Sequence, residues 1–223
     1  PNRPDALGIY GIARDLSASG IGKLRVSKIP NVEGIFKPHL NINLDQAVSS
    51  KECPLFVGRY LRSVQNKESP QWLKNRLIGI GLNPISALVD ITNYLTFDRA
   101  RPLHVFDADK LSGGLTVRRS NKGEKFHALD DKIYELNEGM IVITDEKEIV
   151  SLGGIIGGMK SAVSDETKNV LLEAAYFDPI SIAATGRKLQ INSDARYRFE
   201  RGVDPSFTLS GSNIATKMIL DSV

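Results

Sequence analysis

Apolar residues in the middle of the chain come in short blocks, each closed by turn residues. The blocks are Leu115–Arg119, Lys125–Leu129, Ile133–Leu136, Met140–Thr144 and Glu148–Leu152, with Ser112-Gly113-Gly114 and Leu129-Asp130-Asp131 among the separators. Blocks of this length predict strands joined by tight turns. Leu55–Val64 alternates like a half-buried strand, and Val170–Phe177 is an almost unbroken apolar run interrupted by one carboxylate, Glu173. Outside this zone the period lengthens. Leu7, Tyr10, Ile12 and Leu16 predict a helix over 6–16 capped by Asp5. Ser69-Pro70 opens a helix through Trp72, Leu73, Leu77 and Ile78 that stops at Gly79 or Gly81. Asn83-Pro84 begins another, carrying Ile85, Leu88, Val89 and Leu95, with Thr92-Asn93-Tyr94 near its end. Asp178-Pro179 and Asp204-Pro205 predict helices over 179–189 and 205–221, with a third at about 194–201. Residues 17–54 are mixed, punctuated by Pro30, Pro38 and Pro54. Helices at both ends of a strand-rich middle predict an α+β fold, a largely antiparallel or mixed sheet with helices packed at its N- and C-terminal ends.

One stretch stands apart, Ser151-Leu152-Gly153-Gly154-Ile155-Ile156-Gly157-Gly158. Glycines serve where φ must be positive or where something approaches the main chain, so this run is a candidate floor for a ligand pocket. Glu173 lies in the next apolar strand with no charged neighbour, and a lone buried carboxylate is costly without a partner. The residues alone leave two partners open, an arginine of the chain or a ligand. His104 falls where a loop passes into a strand, and Thr92 and Asn93 are small polar groups near it in sequence. Such a cluster can polarise a carbonyl or hold a water, although packing is the ordinary role of a lone histidine.

Composition narrows the classes. The 223 residues carry a formal net charge of +3, which permits a polyanionic partner without requiring one. The single cysteine, Cys53, excludes an internal disulfide, fits a reducing cytosol, and beside Pro54 reads as an inert buried thiol. No apolar run reaches 18 residues, so no membrane span is expected. His39, His104 and His127 lack metal-ligand spacing, and neither G-x-S-x-G, G-x-G-x-x-G nor a P-loop occurs. The run Arg196–Asp204 suits a solvated helix face, a set of internal ion pairs or an RNA-facing surface.

Several ordered stretches together resemble the beta subunit of bacterial phenylalanyl-tRNA synthetase. They are Pro1–Asp5 with Gly11–Arg14, Val89-Asp90-Ile91-Thr92-Asn93-Tyr94, Pro102-Leu103-His104-Val105-Phe106-Asp107, Gly153–Gly158, Leu172–Phe177 and Tyr197-Arg198-Phe199-Glu200-Arg201-Gly202-Val203-Asp204-Pro205. The resemblance implies that subunit's internal editing domain as an excised fragment. Residues 1–18 would be a linker helix from the preceding part, and 19–223 two nested modules, a smaller one over about 19–110 and a larger strand-rich one over about 111–223. It implies hydrolysis of tyrosine misattached to the phenylalanine tRNA, with His104, Thr92 and Asn93 near the ester, Gly154 lining the amino-acid pocket and Glu173 reading the phenol. Val105 stands where that family often has a small residue, and is expected to narrow the pocket. Ala100-Arg101 and Arg196 also depart from the family habit. The implied partners are the 3′ end of the tRNA, the edited tyrosine and an alpha subunit in an α2β2 heterotetramer of the cytoplasm. ATP and Mg2+ would belong to the whole enzyme and no cofactor to this fragment. The competing reading is a non-catalytic scaffold or tRNA-contacting module.

Overall fold

The computed structural model describes residues 3–26 and 28–223. In chain order its elements are α1 (Ile9–Ala18), β1 (Ile42–Leu44), α2 (Gln46–Ser49), β2 (Leu55–Leu61), α3 (Gln71–Gly79), α4 (Ala87–Arg99), β3 (His104–Asp107), β4 (Leu115–Arg119), β5 (Lys125–His127), β6 (Ile133–Glu135), β7 (Ile141–Thr144), β8 (Ile149–Leu152), β9 (Ile156–Gly157), β10 (Val170–Tyr176), α5 (Pro179–Leu189), α6 (Asp194–Phe199) and α7 (Thr208–Ser222). The fold is α+β, as the pattern predicts. A five-stranded sheet runs β1-β4-β7-β8-β9, a three-stranded sheet runs β2-β10-β3, and β5 and β6 form a hairpin. All described pairings are antiparallel except β1 with β4.

Strand β10 is central in the three-stranded sheet and has apolar matter on both faces, which explains its unbroken apolar sequence. On one face Leu171 and Ala175 join Phe106, Val117, Ile143 and Leu152 in a core shared with the larger sheet. On the other, Val170 and Leu172 join Val105, Leu88, Ile91 and Leu95 of α4, and Ala215 and Ile219 of α7. The three-stranded sheet takes β2 and β3 from before residue 110 and β10 from after it. A contiguous cut at 110 therefore runs through this sheet.

Local chemistry moves several boundaries. Asp5 caps no helix: its carboxylate pairs with Arg3 and Arg14, and it lies in a 3₁₀ turn, with α1 starting after Gly8. Asn83-Pro84 does not open α4 either. Asp90, in the first turn, accepts from the Ile85 N–H at 2.8 Å and from Ser69 Oγ at 2.5 Å, holding the approach extended until Ser86. Helix α4 then runs to Arg99, so Thr92 and Asn93 sit in its middle rather than at its end. Strand β2 stops at Leu61, short of Val64. Asp178 does cap α5, accepting from the Ser181 N–H at 2.9 Å. The charged run after Ser193 resolves into internal ion pairs, Arg196–Glu200, Arg201–Glu200 and Arg198–Asp194.

Candidate active site

His104 opens β3 and stands directly opposite Glu173 of β10 in the antiparallel register. Cross-strand neighbours lie on one face of a sheet, here the face toward the larger sheet. There the turn from β8 to β9 passes over them. Its shape is fixed by hydrogen bonds from the Gly153 N–H to the Ile141 carbonyl and from the Ile155 N–H to the Leu152 carbonyl, both 3.0 Å. Ser193 Oγ donates to the Ile155 carbonyl at 2.6 Å, tying the turn to α6. A cavity of about 90 Å³ results, lined by His104, Glu173, Ser151, Gly154, Ile156 and Phe199, with Pro102, Leu103 and Ala195 also on its wall.

Two glycines make this approach possible. Gly154 has φ +67°, and a Cβ there would meet Phe177 at 2.9 Å, Ile182 at 3.1 Å and Phe199 at 3.3 Å. It lends the cavity main chain, while any side chain it carried would enter the apolar core. At Gly157 a Cβ would lie 2.4 Å from His104 Cε1, so the imidazole rests against bare backbone. Arg101 anchors the chain just before His104, donating to the Ala175 carbonyl and Thr208 Oγ1, each at 2.8 Å.

The cavity holds two polar atoms that lack partners among the described residues. Glu173 Oε2 and His104 Nε2 are buried and make no hydrogen bond to any of them. Glu173 is 6% exposed and has no arginine partner among the described residues. Burial pushes its carboxyl up to about 8 and the His104 imidazole down to about 4. Near neutral pH the site thus presents a neutral acid opposite a neutral imidazole. The buried Cys53 thiol is driven up to about 12, first by burial and then by the carboxylate of Glu173, which disfavours the reactive thiolate.

Three expected site residues do not line this cavity. Val105 alternates to the opposite face of the sheet and packs with Leu172 against the helices, so it does not narrow the pocket. Thr92 and Asn93 belong to α4, in that same helical layer, and Thr92 Oγ1 donates to its own helix at the Val89 carbonyl, 2.7 Å away. Ser151 and Gly157 border the site as part of the glycine run expected to floor it, whereas Ala195 and Phe199 border it unforeseen. The spacing of Ala195 and Phe199, four apart on one helix, was the available sign that they share a face. Among the described residues no three His, Cys, Asp or Glu side chains converge as a metal site.

An α+β domain enclosing such a cavity between two sheets is the class these observations define. Residues 52–223 match the B3/4 domain family, and the chain belongs to it. It is 54% identical over 221 residues to the Phenylalanine–tRNA ligase beta subunit of Cereibacter sphaeroides, and 56% and 55% identical to those of Ruegeria pomeroyi and Paramagnetospirillum magneticum. Each alignment covers 99% of this chain but 28% of the relative, so the chain spans under a third of those proteins' length. An N-terminal fragment of the phenylalanyl-tRNA synthetase beta-subunit from Pyrococcus horikoshii is similar at 18% identity and a TM-score of 0.49, over 82% of this chain and 57% of that one. Among the described residues no helix is long and apolar enough to cross a membrane.

Proposed function

We propose that this chain is the editing domain of a phenylalanyl-tRNA synthetase beta subunit, hydrolysing tyrosine wrongly esterified to the phenylalanine tRNA. One observation carries the reading: Glu173 and His104, paired across β10 and β3, aim unpartnered buried atoms at one cavity. Phenylalanine and tyrosine differ by one hydroxyl, and a site that must accept phenylalanine rejects tyrosine imperfectly. A second site with a buried polar group selects the other way, because phenylalanine leaves that group unpaired. Such an omission costs about 1–3 kcal/mol, or roughly tenfold to over a hundredfold in selectivity.

Glu173, deep in the cavity, receives the phenol, and main chain at Gly154 lies against the ring. His104, at the start of its strand and only partly buried, holds a water by accepting its proton-bearing O–H. The water oxygen attacks the ester carbonyl, the carbonyl–ribose oxygen bond breaks, and the released ribose hydroxyl takes the proton. An aminoacyl ester is activated enough that no protein nucleophile is required, and the neighbouring ribose hydroxyl assists. Thr92 and Asn93 have no part in this scheme. Aminoacylation with ATP and Mg2+, and most of the grip on tRNA in the cytoplasm, would fall to the rest of an α2β2 enzyme with its alpha subunit.

The test is deacylation of preformed Tyr-tRNA and Phe-tRNA, both specific for phenylalanine, by this chain and by Glu173→Ala, repeated in the full heterotetramer. Faster release of tyrosine that is lost in the variant is expected. Equal release by both proteins in the heterotetramer rules the assignment out. The small cavity favours one rival, a non-catalytic scaffold or tRNA-contacting module. At about 90 Å³ it is smaller than the ~150 Å³ cavity that admits benzene. Titration with free tyrosine and phenylalanine separates the two, since a scaffold would prefer neither.

A further inference from the structure

His104 has a neighbour that does not line the cavity. Between β5 and β6 the chain turns through Leu129-Asp130-Asp131-Lys132. Hydrogen bonds close the turn, from the Ala128 N–H to the Lys132 carbonyl at 2.9 Å and from the Asp131 N–H to the Ala128 carbonyl at 3.0 Å. Two more tie it to the glycine run. The Leu129 N–H donates to the Gly157 carbonyl and the Met159 N–H to the His127 carbonyl, both at 3.0 Å. The hairpin is thus fixed beside β9 where the imidazole rests on bare main chain.

The point a Gly157 Cβ would occupy is 2.4 Å from His104 Cε1, 2.7 Å from His104 Nε2 and 3.0 Å from Leu129 Cδ1. The leucine methyl and the edge of the imidazole therefore share one patch of backbone. Phe106 adds a third wall, edge-on to the ring with the centres 4.4 Å apart. The charged groups around the ring are engaged with one another or neutral. Asp130 accepts from Tyr134 Oη at 2.7 Å and lies 3.5 Å from Lys132 Nζ, and Asp131 Oδ1 is 2.9 Å from His127 Nε2. Asp107 on β3 accepts from Thr167 Oγ1 at 2.7 Å, β9 brings only Ile156 and Gly157, and Glu173 opposite is neutral near pH 7. Leu129, 42% exposed, is the one apolar side chain of its turn.

We propose that Leu129 is a positioning residue for the reaction at His104: it shields the edge of the imidazole from bulk water and holds the ring against Gly157. An imidazole accepts an O–H from water only while it is unprotonated, and burial keeps it so by disfavouring the charged form. Trimming Leu129 admits water from the hairpin side, so the ring regains both its proton affinity and its freedom to turn. The effect on the reaction rests on the editing reading; the shielding of the ring does not.

Proton NMR titration of the three histidines in the 223-residue chain tests the shielding, with the His104 signal identified by its loss in His104→Ala. In the wild type it should titrate near 4, and in Leu129→Ala closer to 6.5. Leu129→Met keeps the bulk and should restore the wild-type value. The substitution leaves the main-chain bond to Gly157 in place; circular dichroism checks the fold, and Leu129→Val serves if the Ala form is unfolded. Deacylation of Tyr-tRNA by the heterotetramer reads the consequence. At pH 7.5 kcat should fall by about fivefold with KM unchanged. At pH 5.5 the variant should lose a further ~threefold against wild type, because the opened imidazole is then largely protonated. A merely structural loss would be equal at both pH values. An unshifted His104 titration in folded Leu129→Ala overturns the proposal, as does a shifted titration with wild-type rates at both pH values. No tyrosine release by the wild-type heterotetramer fails the editing reading instead, and the titration then still decides whether Leu129 shields the ring.

Discussion

The two faces of β10 are built from the same strand and behave as opposites. Toward the helices, Leu172, with Val105 beside it on β3, joins an apolar cluster with Leu88, Ile91 and Leu95 of α4 and Ala215 and Ile219 of α7. Toward the larger sheet, one residue further on, Glu173 and His104 meet a cavity and leave buried atoms unpaired. The closed face supplies stability that the open face gives up. A strand pinned this firmly on one side can hold a carboxyl in a poor environment on the other.

That contrast is open to attack from both sides. Leu172→Ala removes a fully buried side chain from the closed face and should destabilise the fold by about 2–5 kcal/mol. Measured by denaturant unfolding, the loss should come with an unchanged ratio of Tyr-tRNA to Phe-tRNA deacylation; a changed ratio would mean the two faces are coupled. His104→Ala works on the open face. It should leave stability nearly intact and slow deacylation by about 10²–10³, if the imidazole positions the water. Single-turnover hydrolysis decides, and an unchanged rate reduces His104 to packing.

A smaller change comes from the rim. Ala195→Trp places bulk into the cavity from a half-buried helical position. It should weaken tyrosine binding by tenfold or more with little loss of stability. A bulky residue at Gly154 is a poorer probe, since it meets positive φ and the Phe177–Phe199 core together. Retained tyrosine affinity in Ala195→Trp would place the ligand elsewhere.

Much of this contrast was legible in the sequence, and what was not has physical causes. The almost unbroken apolar run identified β10 as a buried strand and Glu173 as anomalous within it. The Asp178-Pro179 cap located α5 because its signal is local. The opposition of His104 and Glu173 spans 69 residues of chain and rests on strand register, which no local pattern encodes. Val105 is different: alternation along β3 already implied that it faces away from His104, and family habit obscured that parity. Thr92 and Asn93 were close to His104 in sequence, but the continuation of α4 to Arg99 carries them into the helical layer. The parallel pairing of β1 escaped notice because three residues among prolines give too little period to read.

The finest test of the open face is its pH dependence. Folding raises the Glu173 carboxyl from 4.5 to about 8. Between those values the folded chain keeps a proton that the unfolded chain has released, so stability falls as pH rises through the window and levels off above it. Glu173→Gln keeps the shape and removes the charge. Its melting temperature should match wild type near pH 4.5 and exceed it increasingly toward pH 8, by ~2–4 °C for each kcal/mol relieved in a chain of this size. His104 acts in the opposite direction. Its imidazole is lowered from 6.5 to about 4, so protonation of the unfolded chain erodes stability as pH falls through that range. The advantage of Glu173→Gln must therefore appear on the alkaline side. A constant offset between variant and wild type from pH 4.5 to 9 would mean that Glu173 is solvated in the folded state, and the contrast between the two faces would lose its electrostatic half.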